Sequence, residues 1–208
     1  MSSIWRPDER RDTDTDSTTE AMGGMGMGMG IGGLNSENSG FSQIGSSRHV
    51  LNEIVVDRGP ASFLSVLDIV CDNKYMTTLQ GDGIIIATPT GSTAYSLAAG
   101  GSMVHPCVPA ILLTPICAHT LSFRPLLLPD SSTLECFVPL DCRAGGWVSF
   151  DGKFRQELQK GDCLRVQQSL FPMPTINRAN YTIDWFDALR SGFMFNERPR
   201  QSSKIPSK

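Results

Sequence analysis

Residues 81–101, GDGIIIATPTGSTAYSLAAGG, decide how the remainder of the chain is interpreted. The apolar run at residues 84–86 is β-branched throughout and predicts a buried strand. After the turn residues Pro-Thr-Gly, Ser92 or Thr93 is expected to cap a short helix that ends at the two glycines closing the segment. A strand that leads through a turn into a helix start leaves backbone N–H groups without partners, so this segment is a candidate binding site.

The same segment does not match the loops that carry a serine nucleophile or bind a triphosphate. A nucleophile elbow needs Gly-x-Ser-x-Gly, and residues 91–95 have no second glycine, while a P-loop needs a lysine that this segment lacks. Binding of a polar ligand fits better, because Tyr95 offers a flat ring for a base and hydroxyl groups surround the turn. A tight turn explains the same residues, so both interpretations stay open. The hydroxyl groups belong to Thr88, Thr90, Ser92 and Thr93.

Upstream, the polar pair Asn52-Glu53 interrupts an apolar stretch, residues 49–59, that predicts a strand. A carboxylate here is able to accept hydrogen bonds from a diol, and the carboxamide both donates and accepts them. The alternative is that Glu53 lies on a solvated face of the strand and has no ligand. The pattern alone does not decide between the two.

Short apolar segments at close spacing predict a mainly β fold, a β-sandwich-like domain with one or two short helices. Asp72-Asn73 and Asp151-Gly152 are two-residue hairpin signals. We interpret Asp151 as a turn former and not as a ligand contact. Near the end, residues 182–191 (TIDWFDALRS) have helical spacing and predict a helix.

The two ends of the chain differ from its middle in composition. Residues 1–47 are polar and acidic and then rich in Met-Gly repeats, and such a sequence does not bury enough apolar surface to offset the entropy of ordering. We expect disordered tails over residues 1–47 and 196–208, around a domain at residues 48–195. Gly28, Gly30 and Gly33 match the dinucleotide pattern G-x-G-x-x-G, but the strand and helix that this pattern requires are not predicted around them.

Charge, hydropathy and cysteine usage exclude several classes of protein. A net charge of -3 and 40% hydrophobic residues fit a soluble protein without a nucleic-acid partner, and no apolar run is long enough for a membrane span. The first residues match neither a signal peptide nor a transit peptide, so we expect a cytoplasmic location. The six cysteines show no metal-ligand spacing and are expected to be reduced. Cys117 and His119 give only a weak match to a thiol nucleophile and its base.

Five segments carry a family resemblance when they are taken in order along the chain. They are HVLNEIVVDRG (49–59), QGDGIIIATPTGSTAYSLAAGGSMVHP (80–106), VPAILLTPICAHTLSFRPLLLPDS (108–131), WVSFDGKFRQELQKGD (147–162) and DWFDAL (184–189). Together they resemble the C-terminal, NAD-binding domain of ATP-dependent NAD kinases, most closely the eukaryotic form. The similarity runs from Arg48 to Phe193 and covers most of the predicted domain.

The resemblance implies a function and a set of ligand residues. In the family, ATP phosphorylates the 2′-hydroxyl of the adenosine ribose of NAD to give NADP, with Mg²⁺ on the phosphates of ATP. NAD and ATP are thus the expected partners, Mg²⁺ the expected cofactor without ligands in this chain, and a homo-oligomer the expected assembly. The residues that correspond to the NAD site of the family are Asn52, Glu53, Asp82, Thr93, Ala94, Tyr95 and Ser96.

One part of the family pattern is missing from this sequence. The catalytic aspartate of the family lies in Gly-Gly-Asp-Gly, whereas the Gly-Asp-Gly at residues 81–83 follows Gln80 and corresponds to an Asp-Gly of the second domain. We therefore expect no catalytic residue in this chain and little activity from it alone. The chain is then either the NAD-binding domain of an NAD kinase or a non-catalytic dinucleotide-binding, regulatory or oligomerisation module. A β-sandwich without a ligand is the third interpretation, and in each case we expect an exposed apolar face where the other domain of the family packs.

Overall fold

The computed structural model of the chain describes residues 27–31 and 46–196. The chain divides into two compact units, and the boundary follows Pro174. In the described residues the first unit carries the strands, which form two antiparallel sheets of six strands each. The mainly β, sandwich-like fold predicted from the sequence is confirmed.

The strands are numbered along the chain. They are β1 Met27–Ile31, β2 Ser46–Val50, β3 Glu53–Asp57, β4 Ser65–Cys71, β5 Lys74–Gly81, β6 Gly83–Ala87, β7 Ala110–Ile116, β8 Leu126–Pro129, β9 Leu134–Phe137, β10 Gly146–Phe150, β11 Lys153–Leu158 and β12 Cys163–Gln168. The first sheet has the order β2-β1-β12-β9-β4-β5, and the second has the order β11-β10-β3-β6-β7-β8. A 3-10 helix, Thr90–Thr93, and a short α-helix, α1 Tyr95–Ala98, follow β6.

The inner faces of the two sheets share one apolar core. The side-chain alternation of β3 and β6 directs Ile54, Val56, Ile84 and Ile86 into this core, where each is fully buried. They pack in one cluster with residues of β4, β9 and β12 from the other sheet. Each such side chain contributes about 1.5–3 kcal/mol through removal from water.

The outer face of the second sheet is covered as well, which is why every residue of β6 is buried. Ile85 and Ala87 point away from the main core and pack in a second cluster with Val55, Val104 and Leu112. Val104 belongs to the connection between α1 and β7, so this connection lies against the sheet. The covering layer fixes the 3-10 helix and α1 at the end of β6.

Both predicted two-residue hairpin turns are present. Asp72 and Asn73 have φ values of 49° and 60° between β4 and β5, and Asp151 and Gly152 have φ values of 47° and 69° between β10 and β11. Left-handed backbone at both central residues matches the type I′ turn, whose twist suits a two-residue hairpin. Asp151 is therefore a turn former, as the sequence predicts.

The N-terminal segment departs from its prediction at two places. Met27–Ile31 forms β1 and Ser46 begins β2, although residues 1–47 are predicted to be disordered. The backbone of β1 pairs with β2 and β12, and such hydrogen bonds do not need large side chains. Gly28 and Gly30 therefore lie in an antiparallel strand and not in a dinucleotide loop. Two further residues of the predicted tails are described: Ser47 continues β2, and Asn196 is in a turn. The remaining tail residues, including Gly33, lie outside the described residues.

Two other strands differ from the sequence prediction. The strand predicted over residues 49–59 is interrupted at Leu51 and Asn52, so β2 and β3 lie in different sheets. The strand β8 was not predicted, because Pro125 and Pro129 flank its leucines. It lies at the edge of the second sheet, where proline removes no hydrogen bond that the sheet needs.

The second unit contains the predicted C-terminal helix, α2 Tyr181–Phe193. Its N-cap is Asn180, whose side chain accepts a hydrogen bond from the backbone N–H of Ile183 at 2.9 Å. It ends at Met194, which has left-handed backbone with φ of 46°. Across residues 27–31 and 46–196, no helix combines the length and the apolar character that a membrane crossing requires.

Candidate functional site

The two sequence segments singled out as ligand candidates meet at one end of the second sheet. Glu53, the first residue of β3, pairs in register with Ala87, the last residue of β6. The backbone N–H of Thr88 donates to the carbonyl oxygen of Asn52 at 2.9 Å. The turn that follows β6 is thereby fixed against the Asn52-Glu53 pair. We call this region, residues 51–53 and 88–96, the Glu53 end.

Glu53 is the chemically distinctive residue of this region. It is only 8% exposed, so the interpretation that it lies on a solvated face is wrong. Its Oε2 accepts a hydrogen bond from the backbone N–H of Tyr95 at 3.4 Å, and Oε1 accepts none from the described part of the chain. Burial raises the pKa of the Glu53 carboxyl, the N–H of Tyr95 lowers it, and the charge of Asp151 raises it. The site therefore holds a desolvated carboxylate with one oxygen free to accept a hydrogen bond.

The start of α1 is organised differently from the sequence prediction. Ser92 and Thr93 do not cap it, because its N-cap residue is Ala94 and no side chain bonds there as a cap. The hydroxyl of Ser92 is used elsewhere: it accepts from the backbone N–H of Val104 at 2.9 Å. The carboxylate of Glu53 is instead the acidic group at the helix start. A second negative charge is disfavoured beside it, so the site suits hydrogen-bond donors of a ligand better than a phosphate.

The hydroxyl groups around Gly91 hold the turn together instead of facing a ligand. The Thr88 and Thr90 hydroxyls both donate to the carbonyl oxygen of Leu51, at 2.6 and 2.9 Å. The Thr93 hydroxyl donates to the Thr90 carbonyl oxygen at 3.3 Å. Because these bonds use the hydroxyl protons, the hypothesis that the hydroxyl cluster binds a polar ligand is not supported by the geometry.

Gly91 is required by the close approach of the two segments. A Cβ atom at this position would lie 2.1 Å from the carbonyl oxygen of Asn52, well inside van der Waals contact. That oxygen belongs to backbone and is held by Thr88, so it has little freedom to move. The glycine in Pro-Thr-Gly-Ser-Thr thus serves packing between the turn and the Asn52-Glu53 pair.

Three of the predicted ligand residues at this end are at least partly exposed to solvent. The Tyr95 side chain is 45% exposed and presents its ring as a flat apolar surface. The Asn52 side chain is half-buried, and its carboxamide makes no hydrogen bond to a described residue. Ala94 is also half-buried and offers a small apolar contact. Ser96 is fully buried and its hydroxyl lies 3.0 Å from that of Thr114, so it supports the site from within.

Asp82 does not join the other predicted ligand residues. It precedes β6, beside the pair Asp57 and Gly83, whereas Glu53 pairs at the opposite end of the same two strands. Asp82 comes five residues before Ala87, the register partner of Glu53, which is a distance of about 16 Å at the usual rise per residue. Its carboxylate forms an ion pair with the guanidinium of Arg58, with Nε–Oδ1 at 2.9 Å. We call the region around Asp57, Arg58 and Asp82 the Asp82 end.

Asp151 belongs to this site, although the sequence assigned it only a turn. Its carboxylate accepts hydrogen bonds from the backbone N–H groups of Leu51 at 2.8 Å, Asn52 at 2.8 Å and Glu53 at 3.1 Å. Nothing in the Asp-Gly pair itself predicts contacts a hundred residues away. The one available signal is that Asn-Gly forms the same turn, so a carboxylate is not needed for the turn alone.

Other chemistries receive no support from the described residues. Within residues 27–31 and 46–196, no group of three or more His, Cys, Asp and Glu side chains is able to hold a metal ion. Cys117 lies beyond the end of β7 and has left-handed backbone with φ of 46°, so Cys117 and His119 do not lie on one strand. Cys136 is buried, and burial raises the pKa of its thiol to about 12, which disfavours the nucleophilic thiolate.

Comparisons with known proteins agree with this architecture. The family model for the ATP-NAD kinase C-terminal domain matches residues 51–178. NAD kinase 2, chloroplastic, from Arabidopsis thaliana is 56% identical over 154 residues, which are 74% of this chain and 16% of that protein. NAD(+) kinase from Saccharomyces cerevisiae is 49% identical over 158 residues, 76% of this chain and 29% of that protein. This chain therefore spans less than a third of either relative.

A solved structure gives the same result for the fold. The crystal structure of yeast NADH kinase complexed with NADH superposes with a TM-score of 0.70 at 36% sequence identity. The match covers 88% of this chain and 51% of the yeast chain.

Proposed function

Since the chain belongs to the family of ATP-NAD kinase C-terminal domains, we propose that it supplies the NAD-binding domain of an NAD kinase. In the reaction, the 2′-oxygen of the adenosine ribose of NAD attacks the γ-phosphorus of ATP. The bond from that phosphorus to the bridging oxygen of ADP breaks, the 2′-hydroxyl loses its proton, and NADP and ADP are formed. This chain holds the dinucleotide for that attack.

One observation carries the proposal: a buried carboxylate with a free oxygen lies beside a free carboxamide and an exposed aromatic ring. Glu53 Oε1 is suited to accept a hydrogen bond from a ribose hydroxyl, and Asn52 is suited to donate or accept a second one. The ring of Tyr95 is suited to stack on a base, a contact typically worth about 1–3 kcal/mol. The similar yeast structure contains NADH, which supports a dinucleotide as the ligand class.

The ligand contacts are proposed to come from Asn52, Glu53, Ala94 and Tyr95. Thr93 and Ser96 stay predicted ligand residues on the resemblance alone, because the Thr93 hydroxyl donates to a backbone carbonyl and the Ser96 side chain is fully buried. Asp82 stays a predicted ligand residue on the resemblance alone, since its ion pair and its distance from Glu53 give it no place beside the others.

Phosphoryl transfer needs groups that this chain does not provide. The 208 residues contain no Gly-Gly-Asp-Gly, the sequence that the resemblance assigns to the proton-accepting aspartate. Mg²⁺ is the ion expected with ATP, but the described residues offer it no ligand set, so no step of the proposal passes through it. We therefore propose that this chain alone has little or no kinase activity. A cytoplasmic location stays a prediction from the sequence.

The second candidate is a non-catalytic module that binds the dinucleotide or associates with other subunits. Exposed leucines on the edge strand β8 favour association: Leu126 is 39% exposed and Leu127 is 49% exposed. An unpaired apolar edge strand is a common site of contact between chains. The homo-oligomer expected from the resemblance is retained as part of this proposal, and size-exclusion chromatography at several concentrations tests it.

The test of the proposed function is calorimetric titration of the 208-residue chain with NAD, together with an assay for NADP formation from ATP. Tyr95→Ala is expected to weaken NAD binding by about tenfold through lost stacking. Tyr75→Ala is the matched control, because Tyr75 is equally exposed, at 50%, but lies on β5 in the other sheet. Binding without turnover supports the proposal. Equal affinity in both variants would contradict it, and NADP formation by the chain alone would show that the chain is itself catalytic.

A further inference from the structure

The carboxylate of Asp151 makes more hydrogen bonds than the turn it begins requires. Oδ2 accepts from the N–H of Leu51, and Oδ1 accepts from the N–H groups of both Asn52 and Glu53. In return, the backbone N–H of Asp151 donates to the carbonyl oxygen of Glu53 at 2.9 Å. Successive backbone N–H groups that converge on one anion form a nest, and here the anion is a side chain of the protein.

The Asp151 carboxylate is itself held in a fixed position. Asp151 follows β10 directly, and β10 pairs with β3 in register up to the pair Phe150 and Ile54. The type I′ turn with Gly152 fixes the direction in which the Asp151 side chain leaves the backbone. The carboxylate therefore meets the residues 51–53 backbone from a position set by the sheet.

The anchored backbone presents the two polar groups assigned to the ligand. With its N–H held by Asp151, Asn52 directs its carbonyl oxygen toward the N–H of Thr88 and against Gly91, and its side chain stays free. Glu53 is held in the same way while its Oε2 reaches Tyr95. Both ligand groups thus depend on the same carboxylate.

We propose that Asp151 is a positioning residue of the dinucleotide site, which acts by fixing the backbone of Leu51, Asn52 and Glu53 and touches no ligand itself. The proposal rests on the proposed function. It differs from a turn-forming role in one respect: the turn accepts asparagine, whereas three convergent N–H groups require a carboxylate.

The test compares equivalent turns in the same chain. Asp72 also begins a type I′ turn, and its Oδ1 accepts a backbone N–H, that of Thr133 at 2.8 Å, away from the site. Asp72→Ala therefore reproduces the loss of a turn aspartate and of a carboxylate–backbone bond. It is expected to lower the unfolding temperature without changing NAD affinity.

NAD affinity is measured by calorimetry on the 208-residue chain, well below the unfolding temperature of each variant. Asp151→Ala is expected to weaken NAD binding by about 10-fold or more. Asp151→Asn keeps one acceptor oxygen and the turn, so its NAD affinity is expected to lie between that of Asp151→Ala and that of the unaltered chain. Amide hydrogen exchange is measured in parallel and is expected to quicken at residues 51–53 in Asp151→Ala only.

Each outcome bears on a different claim. Unchanged NAD affinity in Asp151→Ala, with binding by the unaltered chain intact, would overturn the positioning role and leave the proposed function standing. Equal losses of affinity in Asp72→Ala and Asp151→Ala would also overturn it, since they would indicate a general loss of stability. Absence of NAD binding by the unaltered chain would contradict the proposed function and the positioning role together. Partial rescue by Asp151→Asn supports the role.

Discussion

The two ends of the β3–β6 strand pair differ in whether their acidic side chains have cationic partners. At the Glu53 end, a buried carboxylate has no cationic partner among the described residues and keeps one oxygen unbonded. At the Asp82 end, Asp57 pairs with Arg155 and Asp82 pairs with Arg58. A buried, unpaired carboxylate lowers stability, whereas exposed ion pairs change it little. This difference in pairing supports the proposal that the Glu53 end, and not the Asp82 end, binds the ligand.

The largest losses of stability and NAD affinity are expected when a side chain is added at Gly91, where the two segments of the Glu53 end are in close contact. Gly91→Ala places a Cβ atom against the carbonyl oxygen of Asn52. Overpacking against backbone costs about 1–3 kcal/mol, and the displaced Asn52-Glu53 pair is expected to lose NAD binding as well. Denaturant unfolding and NAD titration measure the two effects.

Gly192→Ala is the control for this substitution. Gly192 lies in α2, and a Cβ atom there meets nothing within 4 Å. Its replacement is expected to leave stability unchanged or slightly raised, because alanine favours a helix. A Gly91→Ala variant as stable as Gly192→Ala would show that the two segments do not pack as described.

The second largest effect is expected at Glu53, where one substitution is expected to change NAD affinity and stability in opposite directions. Because Glu53→Gln removes the buried charge and keeps the shape, NAD affinity is expected to fall by about tenfold while the free energy of unfolding at pH 7 rises by about 1 kcal/mol. Glu157→Gln, an exposed glutamate on β11, is the control and is expected to change neither.

The pH dependence of Glu53→Gln follows from the direction of the pKa shift. The folded pKa of Glu53 is raised above its ordinary value of 4.5, so the folded state binds the proton more tightly than the unfolded state. Its contribution to stability is thus most favourable in acid and is lost as pH rises through the folded pKa. The variant and the unaltered chain are expected to differ least below pH 4.5 and most near neutrality. A difference that grows toward acid would contradict the burial argument.

The smallest effect is expected at the Asp82 end. Asp82→Asn breaks the ion pair with Arg58, in which both side chains are 38% exposed. Such pairs contribute at most about 1 kcal/mol, so a small change in unfolding free energy is expected, diminishing further at high salt. NAD affinity is expected to fall less than in Glu53→Gln. An equal loss would bring Asp82 into the binding site and remove the contrast between the two ends.

The sequence predicts the fold well where local chemistry decides it. Both type I′ turns follow from Asp-Asn and Asp-Gly pairs, and the helix near the end follows from its spacing. The strand β1 and the interruption at Leu51 and Asn52 were not predicted, because both depend on which strands lie beside them. Propensity carries no information about such neighbours.

The candidate site is predictable in part for the same reason. The residue types of Asn52, Glu53 and Tyr95 indicate a ligand that has polar groups and a ring able to stack on tyrosine. The structure brings these three residues, from two segments, to one end of the sheet. The hydroxyl groups mislead, because Thr88 and Ser92 are fully buried and bond to backbone. The roles of Asp151 and Gly91 arise from contacts between distant parts of the chain, which no local pattern reveals.

The most direct test of the central claim is amide chemical-shift mapping of the isotopically labelled chain during titration with NAD. We predict saturable shifts at Asn52, Glu53, Ala94 and Tyr95, with little change around Asp57 and Asp82. Such a result locates the dinucleotide at the end of the sheet that keeps an unpaired buried carboxylate. Shifts confined to the Asp82 end, or none at saturating NAD, would contradict the account.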